Sequence, residues 1–140
     1  MGTNYFAYGS NMEVQAMSHR CPRSHPLGIA RLDGWSFRIN TRGYATVVPC
    51  PGEVVYGLLW SLDEADELLL DDYEAVHENL YTRTRLEVTP AKGVPVGALV
   101  YLATHSHPGK PLPGYLEGIL EAARSLRFPE TYQRELERWK

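Results

Sequence analysis

Apolar and polar residues alternate along much of the chain in short runs that predict strands. Four such runs are clear, over residues 3–8, 53–60, 81–88 and 94–103. Residues 53–60 carry apolar side chains at both odd and even positions, so this strand is predicted to be central and covered on both faces. Residues 27–48 predict several short strands joined by turns, with Gly34, Gly43 and Pro49 as the breaks.

Segments with the features of helices lie between and after these predicted strands. Ser61-Leu62-Asp63-Glu64 matches a capping box and predicts a helix that begins there and runs to about Ala75. Three further helices are predicted from helix-forming composition, apolar spacing and a first-turn proline, over residues 12–17, 115–123 and 129–139. Strands with interspersed helices indicate an α+β fold, and a length of 140 residues predicts a single domain over residues 1–140.

Composition and charge narrow the possible partners. The formal net charge is -3, from 14 Lys and Arg against 17 Asp and Glu, which argues against nucleic acid and anionic membrane surfaces as partners. No apolar run approaches the roughly 20 residues of a membrane-spanning helix. The N-terminus lacks the pattern of an export signal. Two cysteines, Cys21 and Cys50, lack a C-x-x-C spacing. We expect a cytoplasmic protein with reduced thiols, although a pairing of the two stays open, and the sequence assigns no oligomeric state.

The first candidate site is Tyr8-Gly9-Ser10-Asn11, where a predicted strand ends and a helix begins. Glycine allows a ligand to approach the backbone closely, and amide N–H groups at a helix start carry partial positive charge. Such a loop can bind a carboxylate or a developing oxyanion. An ordinary turn with an Asn or Ser cap is the alternative explanation of the same residues.

The second candidate is Glu74. It ends a series of acidic residues, of which the other six are expected to form a solvated helix face, namely Asp63, Glu64, Asp66, Glu67, Asp71 and Asp72. Glu74 lies in the last helical turn, where the helix dipole disfavours a carboxylate, and four residues after Leu70, toward the apolar edge. Both features raise its proton affinity, as a general acid or base near neutral pH requires.

Other chemistries lack the residues that they need. His105 and His107 have no third ligand at a suitable spacing, so no metal site is predicted. Ser10 lacks the G-x-S-x-G context of a nucleophilic serine, and neither cysteine has an activating neighbour. The glycine patterns of nucleotide-binding loops are absent from the sequence.

Taken together, residues 5–12 (YFAYGSNM), residues 70–74 (LDDYE) and residues 81–83 (YTR) resemble the γ-glutamylcyclotransferase-like family, which includes the AIG2-like proteins. The Y-G-S-N loop followed at this spacing by L-D-x-x-E is a specific combination. The resemblance spans nearly the whole chain, because the strand over residues 55–60 and the C-terminal residues Tyr115 and 132–136 also fit the family pattern.

This resemblance implies a small, mixed but mostly antiparallel β-barrel with surrounding helices, no cofactor, and a small-molecule γ-glutamyl substrate. It implies that Glu74 is catalytic, that Tyr115 closes the pocket, and that the γ-glutamyl group is held by Tyr8, Gly9, Ser10 and Asn11. Two positions depart from the family pattern. Ala75 replaces a glycine, and Ser106 replaces a tyrosine and indicates a different substrate preference.

The expected reaction is cyclisation of a γ-glutamyl compound to 5-oxoproline, because the α-amino group can itself attack the γ-carbonyl and expel an amine. Two alternatives remain at this point. One is a module that binds a γ-glutamyl compound or another carboxylate without turnover. The other is an enzyme that transfers or hydrolyses the γ-glutamyl group.

Overall fold

The computed structural model describes residues 2–140, and its five strands close into a barrel. The strands are β1 (Thr3–Ala7), β2 (His25–Ile39), β3 (Ala45–Leu62), β4 (Tyr81–Pro90) and β5 (Val96–Ala103). Their order around the barrel is β1-β3-β2-β4-β5. Neighbours pair antiparallel except β1 and β5, which pair in parallel and close the barrel. The prediction of a mixed, mostly antiparallel barrel in an α+β fold is confirmed.

Four helices surround the barrel: α1 (Val14–Arg20), α2 (Glu64–Tyr73), α3 (Tyr115–Ser125) and α4 (Glu130–Glu137). Short 3₁₀ turns precede α1 at Ser10–Met12 and follow α2 at Val76–Glu78. The predicted helical spacing is correct for α3, whose apolar stripe of Leu116, Ile119, Leu120 and Ala123 is buried. Among residues 2–140, no helix combines the length and the apolar character that crossing a bilayer requires.

The β2–β3 hairpin corrects the expectation of several short strands over residues 27–48. These residues belong to two long strands joined by a turn at residues 40–44. Asp33 pairs with Val54, but Trp35, only two residues later, pairs with Pro49. The residues of β3 between Pro49 and Val54 have no partner in β2, and Gly34 has a positive φ of 85° on the opposite strand at this irregularity. Glycine and proline therefore mark an irregularity inside paired strands.

The start of α2 is also displaced from its prediction. Ser61 and Leu62 remain in β3, paired with β1, so Ser61 does not cap the helix. Asp63 is the cap instead: its Oδ1 accepts from the backbone N–H of Asp66 at 2.8 Å, and Asp66 Oδ2 accepts from that of Asp63 at 3.4 Å. Asp66 is fully buried. The expectation that it belongs to a solvated face is wrong, because it completes the capping box.

The barrel core reaches the predicted loop directly. Phe6, Val55 and Trp60 are fully buried, and burial of a large apolar side chain contributes about 1.5–3 kcal/mol. The indole Nε1 of Trp60 donates to the backbone carbonyl of Asn11 at 3.1 Å. Packing of the barrel thus sets the position of the loop that follows β1.

Candidate active site

A cavity of about 220 Å³ opens where β1 ends, between the turn at residues 40–44, the end of α2 and the start of α3. All the residues of the predicted site line it. Seven tyrosines, two of them from the predicted site, line the cavity: Tyr5, Tyr8, Tyr44, Tyr73, Tyr81, Tyr101 and Tyr115. Among the described lining residues, two carry a formal charge, Glu74 and Arg42.

The loop after β1 brings its backbone close to the opposite wall. Met12 N–H donates to the Gly9 carbonyl at 3.0 Å and closes the 3₁₀ turn. The N–H groups of Ser10 and Asn11 start this turn, so they have no acceptor within it. A Cβ at Gly9 would lie 3.4 Å from Ala45 Cβ and 3.6 Å from Tyr115 Oη. The loop backbone therefore lies next to α3 and β3 at the cavity, and a Cβ there would be in van der Waals contact with both.

Side chains hold this loop in place. Tyr8 Oη donates to the Tyr101 carbonyl at 2.5 Å. Asn11 Nδ2 donates to Tyr5 Oη at 3.0 Å, and Asn11 Oδ1 accepts from Arg20. Asn11 is only 3% exposed, so both ends of its amide are used within the protein. Its side chain orients the loop and its carbonyl accepts from Trp60, which leaves the backbone N–H as the part of Asn11 available to a ligand.

Glu74 lies immediately after α2, where its backbone N–H donates to the Leu70 carbonyl at 2.8 Å. Its carboxylate has no salt bridge and no side-chain hydrogen bond to any of residues 2–140. Burial of the carboxyl group raises the pKa of Glu74 from 4.5 to about 7, although the nearby Arg20 lowers it somewhat. The carboxyl group can therefore both accept and release a proton near neutral pH.

Arg20 links the loop to the end of α2. Its guanidinium carbon lies 4.0 Å from the ring centroid of Tyr73, the residue before Glu74, while it also donates to Asn11. Ser10 Oγ lies 3.5 Å from Tyr73 Oη. These contacts join the two sequence motifs, which are more than 60 residues apart, on one side of the cavity.

Tyr115 forms part of the opposite wall. Its hydroxyl accepts from the backbone N–H of Ala45 at 3.1 Å, and Tyr81 Oη donates to the carbonyl of the same residue at 2.6 Å. The Tyr44 ring packs edge-on against Tyr115, with ring centroids 5.4 Å apart. Five wall residues were not predicted as site residues, namely Tyr5, Tyr44, Tyr73, Tyr81 and Tyr101. Tyr5, Tyr73 and Tyr81 lie within the sequence segments that carry the family resemblance, and that position is the signal that could have found them.

The segment after β5 contacts the end of the β2 strand through its backbone carbonyls. The Ser106 carbonyl accepts from Arg38 Nη1 at 2.7 Å, and the His105 carbonyl accepts from Asn40 Nδ2 at 2.9 Å. Ser106 does not line the cavity. Within the described chain, no three His, Cys, Asp or Glu side chains are grouped to hold a metal ion, and both cysteines are free thiols.

In this closed mixed barrel, an unpaired carboxyl group and a Gly-Ser-Asn turn line the same tyrosine-rich cavity. The family model described as "Gamma-glutamyl cyclotransferase, AIG2-like" matches residues 5–118, and the chain belongs to this family. The family prediction is confirmed.

Individual relatives agree with this assignment. The chain is 28% identical to "Gamma-glutamylcyclotransferase" of Mus musculus over 94% of its own length and 76% of the relative's. It is equally similar to the Homo sapiens protein of the same name, at 28% identity over the same shares. A solved structure named "Gamma-glutamyl cyclotransferase" superimposes with a TM-score of 0.91 at 26% identity, covering 100% of this chain and 89% of the other.

Proposed function

We propose that this protein cyclises a γ-glutamyl compound to 5-oxoproline and releases an amine or amino acid, with Glu74 as general acid and base. One observation carries the proposal: the unpaired Glu74 carboxyl group lines the same cavity as the loop over residues 8–11, in a chain of the γ-glutamyl cyclotransferase family. No residue of the protein has to act as a nucleophile in this reaction.

The substrate contains its own nucleophile. The α-amino nitrogen attacks the γ-carbonyl carbon and forms a five-membered lactam, and the bond from that carbon to the leaving nitrogen breaks. The α-ammonium group loses two protons as it becomes the lactam nitrogen. The leaving nitrogen gains two as it departs as an ammonium ion. The protein therefore has to move protons from one nitrogen to the other.

Glu74 is suited to that relay. As a carboxylate it accepts a proton from the α-ammonium group, and as the acid it donates a proton to the leaving nitrogen. A pKa of about 7, caused by burial, keeps both forms accessible near neutral pH. Because the first step needs the carboxylate, kcat/KM is expected to rise with pH through about 7.

The loop supplies the complementary group. Attack on the γ-carbonyl develops an oxyanion, and the N–H groups of Ser10 and Asn11 are available because neither has an acceptor within the 3₁₀ turn. One such donor stabilises a transition state by about 2.7–4 kcal/mol in known cases. Tyr8 and Gly9 place the loop, and Tyr115 closes the pocket from the other side.

The test follows 5-oxoproline and glutamate by mass spectrometry with a panel of γ-glutamyl amino acids and amines. We expect Glu74→Gln to fold normally and to lose activity by about 100- to 10,000-fold, the usual contribution of a positioned acid or base. Asp72→Asn is the matched control, since Asp72 is exposed on the same helix and does not line the cavity.

Each result has a definite meaning. Equal 5-oxoproline formation by wild type and Glu74→Gln would refute the proton relay. Release of glutamate without 5-oxoproline would indicate hydrolysis, and a γ-glutamyl adduct of an added amine would indicate transfer. Binding of intact substrate with no product would favour the non-catalytic binding module.

A further inference from the structure

We propose that Arg20 is a positioning residue of the proposed reaction: it holds the loop over residues 8–11 against the end of α2 and supplies the positive charge that stabilises ionised Glu74. This inference rests on the proposed cyclisation and deepens it. Arg20 does not line the cavity, so it acts through the loop and through Glu74 rather than on the substrate.

The guanidinium group of Arg20 contacts both segments of the site. Its Nη1 donates to Asn11 Oδ1, and its central carbon lies 4.0 Å from the ring centroid of Tyr73. Asn11 in turn donates to Tyr5 Oη at 3.0 Å, and Tyr73 immediately precedes Glu74. A planar guanidinium is suited to this double contact, because its face stacks on an aromatic ring while its edge donates hydrogen bonds.

The backbone that carries Arg20 is fixed against α2. Met17 and Cys21, which flank Arg20 in the last turn of α1 and just after it, are fully buried. Cys21 N–H donates to the Met17 carbonyl at 2.8 Å, and Cys21 Sγ lies 3.5 Å from the carbonyl oxygen of Asp66. The side chain of Arg20 therefore extends from an anchored helix end, and it is half-buried.

No carboxylate of residues 2–140 neutralises Arg20 in direct contact, since none lies within 4.0 Å of its guanidinium group. Arg83, by contrast, pairs with both Glu67 and Asp71. Burial raises the pKa of Glu74 to about 7, and the charge of Arg20 lowers it against that effect. Because Arg20 is half-buried, solvent screens its charge less than that of an exposed arginine.

The other groups around Glu74 do not supply this charge. Burial raises the pKa of four tyrosines above the ordinary value of 10.0, so they stay neutral near pH 7: Tyr5 on β1, Tyr8 just after it, Tyr81 on β4 and Tyr115 on α3. The remaining titratable or charged groups of the cavity wall are Tyr44, Tyr73, Tyr101 and Arg42. Arg42 is exposed, so solvent screens it.

The first experiment follows the side-chain carboxyl carbon of Glu74 by ¹³C NMR from about pH 4 to about pH 9. We expect Arg20→Gln to move the titration midpoint to higher pH, because a charge that favours the carboxylate is removed. Arg20→Lys should leave the midpoint closer to wild type, since its ammonium group keeps the charge. Arg23→Gln is the matched control: it removes one positive charge from an exposed pair with Asp63 nearby and should leave the midpoint unchanged.

The second experiment measures formation of 5-oxoproline as a function of pH. In Arg20→Gln the acid limb of kcat/KM should move in the same direction as the NMR midpoint. At pH 7, kcat/KM should fall by roughly 10-fold, the low end of the range for loss of a hydrogen bond to a charged group. Arg20→Lys should recover part of this loss. A fall in kcat/KM with both midpoints unmoved would make Arg20 a purely structural residue and overturn the proposal.

The NMR titration separates this proposal from the proposed reaction. If wild type yields no 5-oxoproline, the reaction fails, and the midpoint of Glu74 still decides the role of Arg20. An equal midpoint in wild type and Arg20→Gln, or an equal displacement by Arg23→Gln, would refute that role.

A measurement on wild type covers the case in which Arg20→Gln does not fold. The Nε–H resonance of Arg20 should then shift with the same midpoint as the Glu74 carboxyl group and stay constant in Glu74→Gln. A resonance that does not respond to pH in wild type would overturn the proposal.

Discussion

Two carboxylates at the end of α2, Asp71 and Glu74, are three residues apart and have opposite surroundings. Asp71 Oδ2 accepts from Arg83 Nη1 at 2.7 Å, and its other oxygen accepts from the Tyr101 hydroxyl. Glu74 has no such partner within residues 2–140 and lines the cavity. Their positions in the sequence alone do not predict that one is paired and the other is not. Their difference arises from what the barrel brings against each.

Under the proposed function, one acidic helix serves both stability and chemistry. Asp71 contributes to the fold through its contacts with Arg83 and Tyr101. A buried carboxylate without a partner holds its proton more tightly, which raises the pKa of Glu74 to about 7. The burial that supports the proposed proton transfer by Glu74 also makes its ionised form unfavourable in the folded protein.

The largest effect on stability is therefore expected from Glu74→Gln as the pH rises. The pKa of Glu74 is about 7 in the folded protein against an ordinary value of 4.5. Its stabilising contribution is fully present below pH 4.5 and is lost as the pH rises through 7. Glutamine does not ionise, so the variant should exceed wild type by roughly 3 kcal/mol in free energy of unfolding above pH 7. Urea unfolding at pH 4 and pH 8 measures this difference.

A control separates this effect from a general loss of negative charge. Asp72→Asn removes one charge from an exposed position of the same helix and should change stability by less than about 0.5 kcal/mol at either pH. If Glu74→Gln is no more stable than wild type at pH 8, the carboxyl group is not buried without a partner in the folded protein.

A smaller effect of opposite sign is expected at the paired carboxylate. Asp71→Asn removes a charge that Arg83 neutralises, although Glu67 Oε1 remains 2.7 Å from Arg83 Nη2. Since Arg83 is 40% exposed, the loss should be only about 1–2 kcal/mol in free energy of unfolding. Formation of 5-oxoproline should stay close to wild type. A loss of activity as large as that of Glu74→Gln would place Asp71 in the chemistry and end the contrast between the two residues.

The sequence predicted the fold well where one strand or helix determines its own pattern. The strands over residues 53–60 and 81–88 and the apolar spacing of α3 are local features, and the structure shows them. The predicted start of α2 was wrong because pairing of β3 with β1 keeps Ser61 in the sheet. Local capping chemistry does not reveal that pairing. The prediction of short strands over residues 27–48 was wrong for a similar reason, because the irregularity at Gly34 depends on the register of the partner strand.

The candidate site was predictable only in part. Glu74 and the loop over residues 8–11 stand out by their positions at the ends of a helix and a strand. Tyr5 lies on β1, Tyr44 in the turn between β2 and β3, and Tyr81 at the start of β4, and they line one cavity because the barrel brings these elements together. Hydrophobic periodicity shows which face of a strand is inward, but not which strands become neighbours.

The smallest expected effect concerns Ala75, which follows Glu74 and precedes the 3₁₀ turn at Val76–Glu78. Ala75 adopts a left-handed conformation, with φ of 53° and ψ of 45°, where the Cβ of an alanine is crowded against the backbone. Glycine has no such clash, so Ala75→Gly should raise the free energy of unfolding by up to about 1 kcal/mol, after the added freedom of the unfolded chain is subtracted. Ala65→Gly, on the exposed face of α2, should instead lower it by about 1 kcal/mol, because its backbone is helical. Urea unfolding of both variants at pH 5 measures the two signs. If both variants are destabilised, Ala75 does not adopt a left-handed conformation in the folded protein.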